Sequence, residues 1–299
     1  MTMNPMVKKA VIATLVMGTS MMGLAGVTFA GTTASTISAP PSVVVNGATW
    51  YQVSTAGQLD YIDQNQSSYL SANMELTNNV ELTGYSWVPF GGNSYAAYSG
   101  TFNGQGYGVL NLNVNDTSDN YVGLFGESSG TIENLHVSGS LSGGNGSNVG
   151  GLVGYESGGS ITDSWASGLV SAGSGAGLVS NAGGLVGVQN GSIKDSYATG
   201  SVLTGGLSNA GGLVGVQEGS IKDSWASGLV SAGNPSYAGG LVGDENGGAN
   251  TDSYYDAVTT KQPQGVGLGS QNGVIGEFDR SDENGVYLYR MGLHEHVGD

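Results

Sequence analysis

The sequence contains no cysteine and few basic residues: among its 299 residues, 7 are Lys or Arg, whereas 23 are Asp or Glu. The absence of Cys excludes disulfides, Cys nucleophiles and Cys-ligated zinc. Nucleic-acid binding takes its affinity from Lys and Arg side chains that neutralise phosphates, so the acidic balance argues against nucleic acid as a partner. The same charge argues against an anionic lipid surface.

Long apolar runs are also scarce. The one example, Ala10 to about Val27, follows Lys8 and Lys9 and ends at Thr28-Phe29-Ala30. This pattern predicts a signal peptide over residues 1–30. An uncleaved anchor is the alternative, because the run is marginally long enough to span a bilayer. Cleavage would leave 5 basic and 23 acidic residues, a formal charge of −18, and no membrane insertion is expected of the mature chain. Residues 31–42 read as a linker.

Glycine is abundant, with 55 residues, and it is patterned. GLFG at Gly123 is followed by GGLVG phrases whose marker glycines are Gly151, Gly184, Gly212 and Gly240, at steps of 28, 33, 28 and 28 residues. A fixed period of this size is typical of solenoids, in which each unit buries its apolar face against the next. We therefore divide the chain into irregular early coils (43–122), an array (123–260) and a tail with a hairpin around Asn284-Gly285 (261–299).

Each unit of the array reads as three short strands: GGLVG, then Gly191 to Ala198, then Gly200 to Val202. Three strands in 28 residues favour a parallel β-helix over a propeller blade. Apolar residues recur in rows that we expect inside the stack: Leu124, Leu152, Leu185, Leu213 and Leu241; Ile132, Ile161, Ile193 and Ile221; and Leu141, Val170, Val202 and Val230. The longer step predicts an outward loop within residues 171–182.

The part before the array predicts a cap for the open end of the solenoid. The turn dipeptide Asn46-Gly47 separates two strand-like runs and indicates either a hairpin or the first partial coil. Thr55 and Gln58 fit a capping box, which predicts a helix from Thr55 to about Asn65, the only helix expected in the mature chain. A short amphipathic helix would cover apolar core and unpaired strand edges.

The GGLVG phrases, together with Gly191–Val202, resemble the GLUG motif of secreted bacterial proteins. Upstream, Thr55–Leu59, Trp87–Gly91 and Gly100–Gly104 are similar to segments that precede such repeats in filamentous-haemagglutinin-like adhesins. This resemblance, over about Trp50 to Val266, implies an all-β, right-handed parallel β-helix and a role in adhesion or biofilm matrix. Similar repeats occur in immunoglobulin A-cleaving metallopeptidases, but no catalytic domain or catalytic residue carries over to this chain.

Candidate catalytic and metal-binding motifs are few. His294-Glu295-His296, with Asp299 nearby, lacks the spacing of a zinc peptidase and reads better as a solvated tail than as a metal site. Gly126–Gly130 matches the G-x-S-x-G pattern by chance in a chain so rich in Gly and Ser. Gly143–Asn148 resembles one calcium-binding nonapeptide, which does not recur. No enzymatic activity is therefore predicted.

Two columns of the aligned units are the candidate binding residues. Trp165, Tyr197, Trp225 and Tyr254, preceded by His136, should point outward because strand side chains alternate. They form either a strip that stacks on sugar rings or a stack that supports adjacent coils. Asp163, Asp195, Asp223 and Asp252, preceded by Asn134, either cap turns or bind calcium, the one cofactor considered. Carboxylates about 5 Å apart repel by about 3 kcal/mol at an effective dielectric of 20, so we expect other groups to offset this repulsion.

Together these observations predict a secreted, non-enzymatic adhesion or biofilm protein that binds a glycan, a host surface or a matrix ligand through its repeated face. Two alternatives remain open. One is a polysaccharide-acting β-helix enzyme, either a lyase or a glycoside hydrolase, although Arg occurs only at Arg280 and Arg290 and the acids are spread by the repeat. The other is a structural spacer from a longer adhesin. The sequence does not indicate an oligomeric state.

Overall fold

A computed structural model describes residues 35–175 and 177–277, which lie within one compact unit, Ala34–Asp299. The predicted signal peptide and the predicted terminal hairpin therefore fall outside the described residues. The described chain is nearly all β, with helices α1 (Ala56–Gln64) and α2 (Ala257–Thr260) and a 3-10 turn at Gln66–Ser68. The helices within this part of the chain are too short and too polar to cross a bilayer.

Thirty short strands carry the fold of the described residues. The first ten are β1 Ser42–Val45, β2 Ala48–Val53, β3 Asn73–Leu76, β4 Val80–Glu81, β5 Thr101–Asn103, β6 Gly108–Asp116, β7 Tyr121–Val122, β8 Phe125–Ser128, β9 Thr131–Glu133 and β10 His136–Gly143. The next ten are β11 Asn148–Gly150, β12 Val153–Glu156, β13 Ser160–Thr162, β14 Trp165–Ala172, β15 Ser180–Gly183, β16 Val186–Gln189, β17 Ser192–Lys194, β18 Tyr197–Ala198, β19 Ser201–Thr204 and β20 Ser208–Gly211. The last ten are β21 Val214–Gln217, β22 Ser220–Lys222, β23 Trp225–Ala226, β24 Val230–Ala232, β25 Tyr237–Gly239, β26 Val242–Glu245, β27 Ala249–Thr251, β28 Ser253–Asp256, β29 Val266–Leu268 and β30 Val274–Glu277.

These strands form four sheets, which we number in the order in which one coil visits them. Sheet I holds β7, β11, β15, β20 and β25, and sheet II holds β8, β12, β16, β21, β26 and β29. Sheet III runs β1-β2-β3-β5-β9-β13-β17-β22-β27, and sheet IV holds β4, β6, β10, β14, β18, β19, β23, β24, β28 and β30. Apart from the antiparallel β1–β2 pair, strands from neighbouring coils pair in parallel. The predicted parallel β-helix is confirmed.

The prediction of three strands per unit is wrong, because one coil crosses four sheets. The coil from Ser180 to Thr204 passes through β15, β16, β17 and then β18 with β19. The stretch read as one strand, Gly191 to Ala198, is broken at Asp195, whose φ of 49° turns the chain from sheet III into sheet IV. The strand of sheet I was missed because its Ser-Asn-Ala-Gly sequence lacks large apolar residues.

The core lies inside the stack and consists of the predicted rows. Ile161, Ile193 and Ile221 follow one another in register and are 0–1% exposed. The Leu row of the GGLVG phrases is equally buried, and so is the Val row of sheet IV. Each coil thus buries its apolar side chains against the coils on either side, as the period predicted.

The glycines of the GGLVG phrase let sheets I and II approach each other. A Cβ at Gly187 would lie 2.5 Å from Gly154 O and 2.7 Å from Val149 N, and a Cβ at Gly183 would lie 2.0 Å from Val186 O. These distances are too short for any side chain. The phrase is therefore set by backbone packing between two sheets.

The N-terminal end is capped largely as predicted. Strands β1 and β2 form the hairpin around Asn46-Gly47. Helix α1 begins after Thr55, whose Oγ1 accepts a hydrogen bond from Gln58 N at 3.3 Å, while Gln58 Oε1 accepts one from Ser54 N at 2.8 Å. Leu59 and Ile62 of α1 are buried in the core. The second helix, α2, was not predicted.

Four of the five extra residues in the longer step lie within residues 173–179, which connect β14 to β15, whereas residues 205–207 connect β19 to β20. The fifth lies within residues 157–159, which connect β12 to β13, whereas residues 190–191 connect β16 to β17. Leu178 and Val179 in the connection from β14 to β15 are about half exposed. The strands on both sides keep their register with the next coil, as the pairs Ala172–Thr204 and Asn181–Asn209 show. The predicted outward loop is confirmed.

Candidate functional site

The corner between sheets III and IV is built by a repeated tripeptide, Asp-Ser-Trp or Asp-Ser-Tyr. It occurs at residues 163–165, 195–197, 223–225 and 252–254. The four Asp residues adopt φ between 46° and 49°, and Asn134 takes the same conformation in the first coil. Asn and Asp tolerate this left-handed region better than other residues with a side chain, so the corner favours one of the two.

The Ser of the tripeptide lies inside the corner and joins successive coils. Ser196 Oγ donates to Lys194 O at 2.7 Å and accepts from Ser164 N at 3.2 Å. Ser164 and Ser224 repeat this arrangement, and Ser253 extends it. All four side chains are fully buried. These Ser side chains give hydrogen-bond partners to backbone N–H and C=O groups that the turn leaves without a partner in the sheets.

The four Asp side chains form an exposed row, which we call the acidic row: Asp163, Asp195, Asp223 and Asp252. Lys194 Nζ lies 2.7 Å from Asp195 and Lys222 Nζ lies 3.6 Å from Asp223. The hydrogen bond and charge of Asp195 raise the pKa of Lys194. Because the row faces water, repulsion between neighbours about 5 Å apart is nearer 0.8 kcal/mol than the 3 kcal/mol expected from the sequence.

Calcium binding by the acidic row remains a hypothesis with little support. Among residues 35–175 and 177–277, no three His, Asp or Glu side chains come close enough together to hold a metal ion. One coil separates each carboxylate of the row from the next, about 4.8 Å along the axis. The left-handed turn accounts for the position of each Asp without an ion.

The predicted aromatic column lies on the outer side of sheet IV, and we call it the aromatic ladder: His136, Trp165, Tyr197, Trp225 and Tyr254. Its first four rings are stacked. Its members pair in register from coil to coil. The ring centroids lie 4.4 Å apart for His136–Trp165, 5.4 Å for Trp165–Tyr197 and 4.6 Å for Tyr197–Trp225, with interplanar angles of 7°.

This stacking decides which part of each ring meets solvent. The faces of Trp165 and Tyr197 are covered by neighbouring rings, and the outer face of His136 is covered by Gly108. The rings are half-buried, so their edges remain accessible. Stacking of sugars on ring faces, which the alternation of side chains suggested, is not available to the inner members of the ladder. Burial also lowers the pKa of His136.

A row of hydroxyls runs beside the aromatic ladder. Ser167, Thr199 and Ser227 each follow a ladder ring by two residues. Thr199 and Ser227 come directly after β18 and β23, but their backbone N–H groups still donate to Ala166 O and Ala198 O of the preceding coil, so the alternation of the strand extends to them and places all three on the side of the ladder. Within the described part of the chain these three hydroxyls form no hydrogen bond with the protein. They are free to bond an external ligand.

The corner between sheets II and III carries a buried polar ladder that the sequence analysis missed. Glu156, Gln189 and Gln217 pair in register and are 0–1% exposed. Gln189 Nε2 donates to Gly191 O at 2.5 Å and Ser220 O at 3.3 Å, and Gln217 Nε2 bonds Gly219 O and Ala249 O in the same way. Burial raises the pKa of Glu156 to about 8.

Sheet I carries a second polar ladder that was missed. Asn181 Nδ2 donates to Asn148 Oδ1 at 2.8 Å, and Asn209 Nδ2 donates to Asn181 Oδ1 at 2.9 Å. Tyr121 precedes Asn148 in the column and stacks on Tyr155 of sheet II at 5.4 Å. Aligning every position of the repeat, and not only the apolar, Asp and aromatic ones, would have found both polar ladders.

The remaining sequence motifs do not form sites among the described residues. Ser128 of the G-x-S-x-G match is buried, and its Oγ accepts from Gly130 N at 3.3 Å. In Gly143–Asn148, Ser147 Oγ donates to Gly144 O at 2.7 Å and Gly146 N donates to Ser180 Oγ at 2.9 Å, so this loop links coils. His294, His296 and Asp299 lie outside the described residues.

Comparison with known proteins supports the repeat assignment. The model of the GLUG motif matches residues 179–203, so the predicted GLUG-motif repeat protein is confirmed. A protein of Evansella cellulosilytica, provisionally described as a Gly-rich membrane protein, is 33% identical over 95 residues, which are 30% of this chain and 11% of that protein. The chain thus spans only a small part of that relative.

A solved structure shares the fold. It is a protein of Bacteroides ovatus provisionally described as an immunoglobulin A1 protease, and it matches with a TM-score of 0.56 over 76% of this chain and 73% of that chain. At 18% identity this likeness concerns the fold alone.

Proposed function

We propose that this protein is a non-enzymatic adhesion module of the bacterial cell surface or biofilm matrix, which binds glycan through the outer face of sheet IV. One observation carries the proposal: half-buried aromatic edges and unpartnered hydroxyls run side by side along this sheet, repeated once per coil. Aromatic side chains with polar edges, placed beside hydroxyls, suit a ligand that is both apolar and rich in hydroxyl groups. A repeated surface suits a repeated ligand.

Other features support a role outside the cell. The acidic composition, the absence of Cys and the leader predicted over residues 1–30 fit an exported protein. The Evansella relative is described as a membrane protein.

The test is a glycan-binding screen of the mature chain with a variant that blocks the face and leaves the aromatic ladder in place. Thr199→Tyr adds a ring at an exposed position of the hydroxyl row, and Ser220→Tyr makes the same change at an exposed position of sheet III. We expect Thr199→Tyr to lower glycan binding at least tenfold and Ser220→Tyr to leave it unchanged.

Two further measurements test the contact surface and the enzymatic alternative. Trp165→Ala with Trp225→Ala removes two ladder rings, and unchanged binding by this folded double variant would refute the ladder as the contact surface. Release of reducing sugar from any bound polysaccharide would replace the adhesion proposal with the enzymatic alternative. Circular dichroism of each variant shows whether the solenoid is intact.

A further inference from the structure

The acidic row contains charge that the fold does not require. The left-handed corner accepts Asn as well as Asp, and Asn134 occupies it in the first coil. The next four coils all carry Asp instead. Each added carboxylate is exposed and lies one coil from its neighbour, so the charges repel. Packing and backbone conformation explain a short polar residue here, but they do not explain four negative charges in a line.

Intramolecular cations neutralise only part of this row. Lys194 and Lys222 pair with Asp195 and Asp223, but both lysines are about half exposed in these pairs, with side-chain exposures of 51% and 53%. Asp163 and Asp252 follow Thr162 and Thr251 and form no ion pair among the described residues. The row keeps a negative charge along the edge of sheet IV.

The position of the row relates it to the candidate binding face. Each Asp precedes a ring of the aromatic ladder by two residues, and three of these rings, Trp165, Tyr197 and Trp225, precede the hydroxyls of Ser167, Thr199 and Ser227 by two more. Carboxylates, ring edges and hydroxyls therefore form three parallel rows along the solenoid axis. A ligand lying along this axis would meet all three kinds of group in three successive coils.

We propose that the ligand of sheet IV is a glycan with repeated positive charges, namely an amino-sugar polymer whose amines are not acetylated. It lies along the solenoid axis with its ammonium groups at the acidic row and its hydroxyls at the ring edges and at the Ser and Thr row. This inference rests on the proposed function. An anionic glycan would be repelled by the row and by the formal net charge of −16. A neutral glycan would leave the carboxylates without a partner.

The test compares glucosamine oligomers with N-acetylglucosamine oligomers of the same length, by isothermal titration at low and high salt in a mildly acidic buffer that keeps the amines charged. We expect the glucosamine oligomer to bind at least tenfold more tightly, and its advantage to shrink as salt rises. Asp163→Asn with Asp252→Asn should lower its affinity severalfold with an unchanged melting temperature, because Asn keeps the corner. Glu218→Gln, an exposed acid outside sheet IV, is the matched control.

The outcomes separate this inference from the proposed function. Equal binding of both oligomers, with no effect of the Asp variants but a loss in Thr199→Tyr, would overturn the amine inference and leave glycan binding in place. Absence of binding to either oligomer and to all glycans of the screen would overturn both. Polylysine binding as tight as that of glucosamine, and insensitive to Thr199→Tyr, would show unspecific attraction and would overturn the inference.

Discussion

Replacing Glu156 by Gln should remove a pH dependence from the stability of the solenoid. Glu156 is 1% exposed and pairs in register with Gln189, whose amide donates to two backbone carbonyls. Glu156 Oε2 accepts from Gly191 N at 2.8 Å, while its buried Oε1 has no partner among the described residues. A protonated carboxyl can donate in this corner as the Gln amide does, whereas a carboxylate cannot.

The direction and size of the effect follow from the pKa. Burial raises the pKa of Glu156 from its ordinary 4.5 to about 8, so the folded state binds a proton that the unfolded state has already released. The contribution of Glu156 to stability is therefore complete below pH 4.5 and is lost as the pH rises to about 8. At 1.36 kcal/mol per pKa unit, the loss is roughly 5 kcal/mol at most.

The assay is denaturant unfolding of the wild type and of Glu156→Gln at pH 5 and pH 9, with Glu218→Gln as an exposed control. We expect the wild type and the control to lose several kcal/mol more than Glu156→Gln between the two pH values. Because solenoids can unfold in steps, the first transition of the affected coils is the quantity to compare. An equal loss in all three proteins would refute the reasoning, since Glu156 would then be ionised in the folded state.

Three further perturbations test the architecture. Ser196→Ala removes a buried donor and acceptor and should cost about 1–3 kcal/mol in urea unfolding, whereas Ser167→Ala on the outer face should cost less than 0.5 kcal/mol; equal costs would contradict the buried ladder. Gly187→Ala places a methyl group against the backbone of sheet I and should destabilise by about 1–3 kcal/mol or more, and a neutral result would contradict the close approach of the two sheets. EDTA should leave the melting temperature unchanged, because no three His, Asp or Glu side chains of the described residues lie close enough together to hold a metal ion, and a fall would support the calcium hypothesis.

The sequence was sufficient to predict the columns, because a repeat aligns its own equivalent positions. Ile161, Ile193 and Ile221 lie in register inside the stack for that reason, and the Asp and aromatic columns were found in the same way. The hairpin at Asn46-Gly47 and helix α1 were predictable from local turn and capping chemistry.

The number of sheets per coil was not predictable from the period. A period gives the length of a coil but does not locate its corners, and the corner at Asp195 depends on a left-handed residue within a sequence that alternates like a strand. The sequence analysis missed the direction in which the faces of the ladder rings point, for a related reason. The alternation of side chains places Trp165 and Tyr197 on the outer side of the sheet. The distance between successive coils is close to the distance between two stacked rings, so the faces of these rings turn toward each other.

Most positions of the repeat now have a structural reason, and this narrows the place where function can lie. Gly183 and Gly187 allow two sheets to touch, Ser196 closes the III–IV corner, and Gln189 fills the II–III corner. The GGLVG phrase that identifies the repeat is thus determined by packing. The outer faces of sheets III and IV are among the positions without such a reason.

Between these two faces, sheet IV is the better candidate for a ligand. The outer side of sheet III in the array carries Ser, Thr, Glu and Lys, and Glu133 there accepts a hydrogen bond from Asn103 Nδ2 at 2.7 Å. Sheet IV adds aromatic edges, hydroxyls without partners and a bordering line of carboxylates in place of the Asn that the corner also accepts. Because these groups recur in each coil, every added unit of a polymeric ligand would gain the same contacts. Affinity should therefore rise with ligand length until the ligand spans the ladder, a dependence that a single pocket would not produce.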